Sequence, residues 1–99
     1  MAHIVIIGAG IGGLPMAYEM RDIARPGDKV TVIARDKVFH FVPSNPWVAV
    51  DWRKREDIEF DPAGILAKLK IDFIHAVVKR VHPEANAVEL EDGQQIAYD

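Results

Sequence analysis

A β-branched run, His3–Ile7 (HIVII), leads directly into glycines at positions 8, 10 and 13, the spacing G-x-G-x-x-G. A run of this kind reads as a strand buried on both faces, as parallel strands in α/β proteins are. Apolar or small residues at 13, 16, 17, 20, 23 and 24 then follow helical spacing, which predicts a helix over 12–24. Pro15 falls in its first turn, where the missing N–H costs little. Pro26-Gly27-Asp28 ends the helix, and Lys29–Ala34 (KVTVIA) is a second β-branched strand. Strand, helix and strand within about 32 residues make a βαβ unit with parallel strands and a right-handed crossover.

Each glycine has a distinct physical task. Gly8 permits the tight exit from the strand. Gly10 lacks a Cβ, so a pyrophosphate can approach the backbone. Gly13 lets the helix pack closely on the sheet. The N–H groups around Ile11, Gly12 and Gly13 point out of the helix N-terminus, where partial positive charge favours phosphate. The bland alternative is a glycine turn that binds nothing, but three glycines in this register are costly unless something must come close. An acidic ribose reader is expected about 20 residues past the glycines. The end of the second strand instead holds Ala34, followed by Arg35 and Asp36. Three readings stay open: groups at Ala34-Arg35 contact an adenosine ribose, Arg35 receives the 2′-phosphate of NADP, or Arg35 is a solvated strand-end charge.

Beyond this unit the pattern changes. Residues 37–57 contain two prolines and two tryptophans and read as a long ordered loop with room for a helical turn. Asp61-Pro62 has the form of an N-cap followed by proline at the first helical position, with Ile65, Leu66 and Leu69 as a short apolar face. Ile71–Ile74 is a third candidate parallel strand. Val77–His82, Ala87–Glu91 and Gln94–Tyr98 are short segments, the last two separated by the hairpin signal Asp92-Gly93. In the last two strands Val88 and Leu90 share a face, as do Ile96 and Tyr98. The fold class is α/β: a partial Rossmann-like FAD/NAD(P)-binding domain, with a parallel βαβ unit and an antiparallel β-meander. Such an open sheet exposes long edges, which proteins usually cover or pair. We therefore expect the 99 residues to be part of a larger protein.

Composition removes other classes. A net charge of −3 with interleaved signs argues against nucleic acid as a partner. The chain has no cysteine, which excludes disulfides, thiolate metal sites and thiol catalysis within it. His3, His40, His75 and His82 match no compact metal-ligand spacing. No catalytic triad or carboxylate pair is assignable. Trp47 and Trp52 fit either a flavin or quinone pocket or an anchor for their loop. The run DWRKRED reads as a solvated face. Residues 1–7 lack the basic and apolar regions of a signal peptide, so none is expected, and no apolar run approaches the ~20 residues that span a bilayer.

Four stretches together resemble the N-terminal part of bacterial sulfide:quinone oxidoreductases: HIVIIGAGIGG, FVPSNPWVAV, WRKRED and DGQQIAYD. The glycine motif is shared by many flavoproteins, whereas FVPSNPWV is more specific and carries the resemblance. The likeness implies FAD held in the first Rossmann-like domain of a two-dinucleotide-binding enzyme. It implies oxidation of sulfide to zero-valent sulfur, two electrons passed through FAD to a quinone, and peripheral attachment to the bacterial cytoplasmic membrane. By position, Gly8, Ala9, Gly10, Ile11 and Gly12 would meet the pyrophosphate and Ala34 and Arg35 the ribose. Val77 and Val78 would lie by the adenine and Pro43 toward the flavin ring. The cysteines that perform the family's sulfur chemistry lie further along the chain and have no counterpart here, so no catalytic residue is assigned. The rival readings are a free-standing NAD(P)-binding module without catalysis, a piece of an NADH-dependent quinone reductase, and a truncated domain that binds nothing.

Overall fold

A computed structural model describes residues Met1–Asp99. Strand β1 (His3–Ile7), helix α1 (Gly13–Ile23) and β2 (Lys29–Ala34) form the expected βαβ unit. Helix α2 (Asn45–Ala49) follows the two-residue strand β3 (Phe39–His40), and β4 (Glu59–Phe60) precedes α3 (Ala63–Lys68). Then come β5 (Ile71–His75) and the meander β6 (Val78–His82), β7 (Ala87–Leu90) and β8 (Gln95–Ala97). The parallel sheet has the order β1-β2-β5, with Val5 opposite Thr31 and Thr31 opposite Asp72.

The core follows from the period-2 alternation of the central strand β2, which is buried from Val30 to Ala34. Val30 and Val32 face one way and meet Leu14 and Ala17 of α1, Leu66 of α3 and Ile71 of β5. Ile33 faces the other way and packs on Val88 and Leu90 of the meander, with Ile96 and Tyr98 beside them. The result is three layers: helices, parallel sheet and meander. Asp99 ties the last layer to β1, since its N–H donates to the His3 carbonyl at 2.9 Å while its carboxylate accepts from the His3 N–H at 2.6 Å.

Several sequence expectations need correction. β1 is only half-buried, because it lies at the sheet edge and lacks a neighbour on one side. The buried stripe of α1 runs through Leu14 and Ala17, with Tyr18 and Ala24 partly covered. Met16 and Ile23 are exposed, so apolar character alone misplaced the stripe. α3 begins one residue later than Asp61-Pro62 suggests. Pro62 sits at the N-cap position, and the Asp61 carboxylate accepts the Ala63 N–H at 2.9 Å. Residues 37–57 do contain a helical turn, but they also contribute β3, which pairs antiparallel with β4 and stacks Phe39 on Phe60 at 5.0 Å. DWRKRED is more than a solvated face: Arg53 donates to the buried Ser44 hydroxyl at 2.7 Å, and Arg55 to the Glu59 carboxylate at 2.7 Å.

At the end of the sheet away from the glycines, the Asp28 carboxylate accepts the N–H groups of Ala2 and Arg25 at 2.8 and 3.0 Å. These bonds hold its pKa below the ordinary carboxylate value. A depressed folded-state pKa adds stability that is full above the unfolded value and lost as pH falls through the folded one. The Asp28→Asn variant is thus expected to be less stable than the parent at neutral pH, with the gap closing in acid. Parallel pH curves in urea unfolding would exclude this role. Leu66→Ala empties a fully buried position and is expected to cost about 2–5 kcal/mol, seen as a lower urea midpoint. An unchanged midpoint would mean that α3 is not part of the core.

Candidate functional site

The glycine turn lies at the C-terminal ends of β1 and β2, where open α/β sheets receive ligands. Gly8 has φ of 101°, a conformation a side chain would strain. Its N–H donates to the Ile33 carbonyl at 2.7 Å, which ties the turn to β2. A Cβ on Gly13 would collide with the Gly8 carbonyl oxygen and lie 2.7 Å from the Gly8 carbonyl carbon. Gly13 is therefore required by the packing of α1 on the strand end. Gly10 and Gly12 differ: a Cβ on either would meet nothing within 4 Å, and neither has positive φ. Nothing packed inside the chain calls for glycine at these two positions.

The backbone N–H groups of Gly10, Ile11 and Gly12 find no acceptor in the chain. They sit at the start of α1, whose dipole favours negative charge. No acidic residue occupies the first turn of that helix to take the role of an anion. A cleft of about 310 Å³ opens beside them, lined by Gly8, Ala9, Gly10, Ala34, Arg35, Asp36 and Val38. Its size is at the small end of ligand pockets.

Of the residues singled out in the sequence, Gly8, Ala9, Gly10, Ala34 and Arg35 line this cleft together. Ile11 and Gly12 are exposed residues of the turn outside the cleft lining, and Gly13 is the packing contact against Gly8. Pro43 is exposed on the 3₁₀ turn Val42–Ser44, outside the cleft lining. Val77 and Val78 are half-buried and also outside it. Val78 packs toward Ile33, and the Val77 carbonyl accepts from Glu91. Asp36 and Val38 line the cleft although the sequence reading gave them no role. Their signal was proximity to the missing ribose acid, but only the turn after β2 brings them inward. Arg35 and Asp36 form an exposed ion pair at 3.7 Å.

A second hollow, about 590 Å³, lies between β3, β4 and the loop from Phe41 to Asp57. Phe39, Phe41, Ile58 and Phe60 give it an apolar lining, and Arg53 borders it with its guanidinium 5.4 Å from the centre of the Trp47 ring. Trp52 is 75% exposed and anchors nothing on the core. The four histidines take separate partners: Thr31 for His3, Asn45 and Glu59 for His40, Arg35 for His75, and Glu84 and Glu89 for His82. The His82 ring donates to Glu89 at 2.9 Å, and chiefly for this reason the Glu89 carboxyl titrates below its ordinary value. No group of three His, Asp or Glu side chains that could hold a metal ion is formed. No helix is long and apolar enough to cross a membrane.

No family model matches the chain. Over 97 residues it is 40% identical to the sulfide-quinone reductase of Aquifex aeolicus, a match covering 98% of this chain and 22% of that protein. The solved structure of the sulfide:quinone oxidoreductase of the same bacterium superposes with a TM-score of 0.94 at 39% identity, covering all of this chain and 23% of the other. The resemblance drawn from the sequence is thus borne out, and the chain spans less than a quarter of the length of these relatives. The covalent putidaredoxin reductase–putidaredoxin complex matches with a TM-score of 0.83 at 19% identity, over 99% of this chain and 24% of that one. The NADH:rubredoxin oxidoreductase of Clostridium acetobutylicum gives 0.76 at 23%, over 98% and 25%. These two show the fold alone. The fold class expected from the sequence is the one found.

The contrast between the glycines is testable. Gly13→Ala is expected to lower stability by several kcal/mol, on the order of other severe steric changes, with loss of native circular dichroism on mild heating. Gly10→Ala should leave the melting curve within about 0.5 kcal/mol of the parent and yet weaken nucleotide binding measured by calorimetry. Equal binding by parent and Gly10→Ala would show that nothing approaches the backbone there.

Proposed function

We propose that this chain is the FAD-binding segment of a flavoprotein oxidoreductase, forming the N-terminal part of one FAD-binding domain. The observation that carries the reading is the pair of glycines, 10 and 12, whose bareness serves nothing inside the chain, next to unpaired N–H groups and the cleft. In this reading Gly8, Ala9, Gly10, Ile11, Gly12 and Gly13 form the pyrophosphate cradle, and Ala34 and Arg35 border the ribose, joined by Asp36. Pro43 lies toward the flavin, and Val77 and Val78 toward the adenine end.

FAD supplies the two-electron redox chemistry when bound; the part of this chain is to bind and orient it. The 40% identity to a sulfide-quinone reductase supports sulfide and a quinone as substrates of the longer protein. In that protein sulfide would be oxidised to zero-valent sulfur, with the enzyme peripheral at the cytoplasmic membrane. Having no cysteine, the chain by itself offers no group for the sulfur chemistry.

NADP is the second reading, favoured by Arg35 at the cleft wall. The Asp36 carboxylate 3.7 Å from that guanidinium opposes it, because it supplies the negative charge that a 2′-phosphate would bring. Titration of the chain with FAD, NADH and NADPH separates the two. FAD is expected to bind, and Arg35→Ala to change its affinity by less than about threefold, as for an exposed charge. NADPH binding abolished by Arg35→Ala, with no affinity for FAD, would overturn the reading.

A further inference from the structure

We propose that His75 is a positioning residue for the nucleotide cleft: its imidazole fixes the peptide on which Arg35 and Asp36 are mounted. The inference rests on the cleft being a nucleotide site, but it assigns a role to a residue that does not line the cleft.

His75 is the last residue of β5 and stands opposite Ala34, the last of β2. The ladder closes there, with the Ala76 N–H donating to the Ala34 carbonyl at 2.9 Å. The next carbonyl, that of Arg35, has left the sheet and has no backbone donor. His75 Nε2 takes it at 2.8 Å. A carbonyl only accepts, so the ring nitrogen must carry the hydrogen, and it does so in both charge states of the imidazole. The bond therefore persists whether or not His75 is protonated.

Pinning the Arg35 oxygen pins the plane of the Arg35–Asp36 peptide, because that unit is rigid. This peptide joins the two side chains that form the charged wall of the cleft. The opposite wall is held independently by the Gly8 N–H on Ile33. The cleft thus has one lip held within the sheet ladder and one held by a single side chain from the neighbouring strand. A chain with no acid at Ala34 has the turn after it, in this reading, to offer ribose contacts.

Three substitutions in this chain test the assignment. Glutamine places its amide nitrogen the same number of bonds from the backbone as Nε2, whereas asparagine falls short and phenylalanine keeps the ring without a donor. His75→Phe and His75→Asn are expected to raise millisecond exchange at the Asp36 and Lys37 amides in NMR relaxation. They should also weaken FAD roughly three- to tenfold, the range of one lost hydrogen bond. His75→Gln should restore both. If the three variants behave alike in the relaxation measurement, the proposal is overturned. If the parent takes up no FAD, the nucleotide reading fails, and the amide exchange pattern still decides whether His75 sets the turn.

Discussion

The close approach of α1 to the end of β1 at Gly13 and Gly8 is the contact on which the rest of the arrangement depends. The missing Cβ of Gly13 lets the helix start directly over the strand exit. Gly8 can turn the chain sharply enough only because it tolerates positive φ. At that helix start the N–H groups of Gly10, Ile11 and Gly12 have no acceptor within the chain. In the proposed reading, phosphate would be held there by backbone groups, with no charged side chain required.

β2 transmits that geometry to the other layers. Its two faces are covered by different partners, helices on Val30 and Val32 and the meander on Ile33. Its end, Ala34, is clamped on both sides: the Ile33 carbonyl receives Gly8, and the Ala34 carbonyl receives Ala76. The cleft is therefore framed by strand ends that cannot move apart without breaking ladder bonds. The turn beyond Ala34 lies outside the ladder, and there His75 substitutes a side-chain donor for a backbone one.

The segment from Val38 to Phe60 follows a different logic. It is held by local contacts: Phe39 on Phe60, Arg53 on Ser44 and Trp47, Arg55 on Glu59. Its large side chains Phe41, Val42, Trp47, Val50 and Trp52 remain substantially exposed. Phe39 also packs against the helix-side core and Ile58 is buried, so hydrogen bonds, ring contacts and a few apolar anchors together order the segment.

The sequence by itself determined the βαβ unit, the hairpin at Asp92-Gly93 and the roles of Gly8 and Gly13, because each rests on local chemistry. β-branched runs favour strands, positive φ demands glycine, and helical spacing repeats within a few residues. The alternation in Val88, Leu90, Ile96 and Tyr98 likewise named a face correctly before any partner was known. Tertiary structure alone decided what those faces meet. The edge position of β1 left it half-buried despite its apolar run, and the direction of α1 buried Leu14 while exposing Met16. The β3–β4 ribbon joins residues about twenty apart, a pairing that no two-residue strand can announce in sequence. Asp36, Val38 and His75 gained their places in the same way. Two are carried to the cleft by a turn, and one reaches it through a bond across 40 residues of chain.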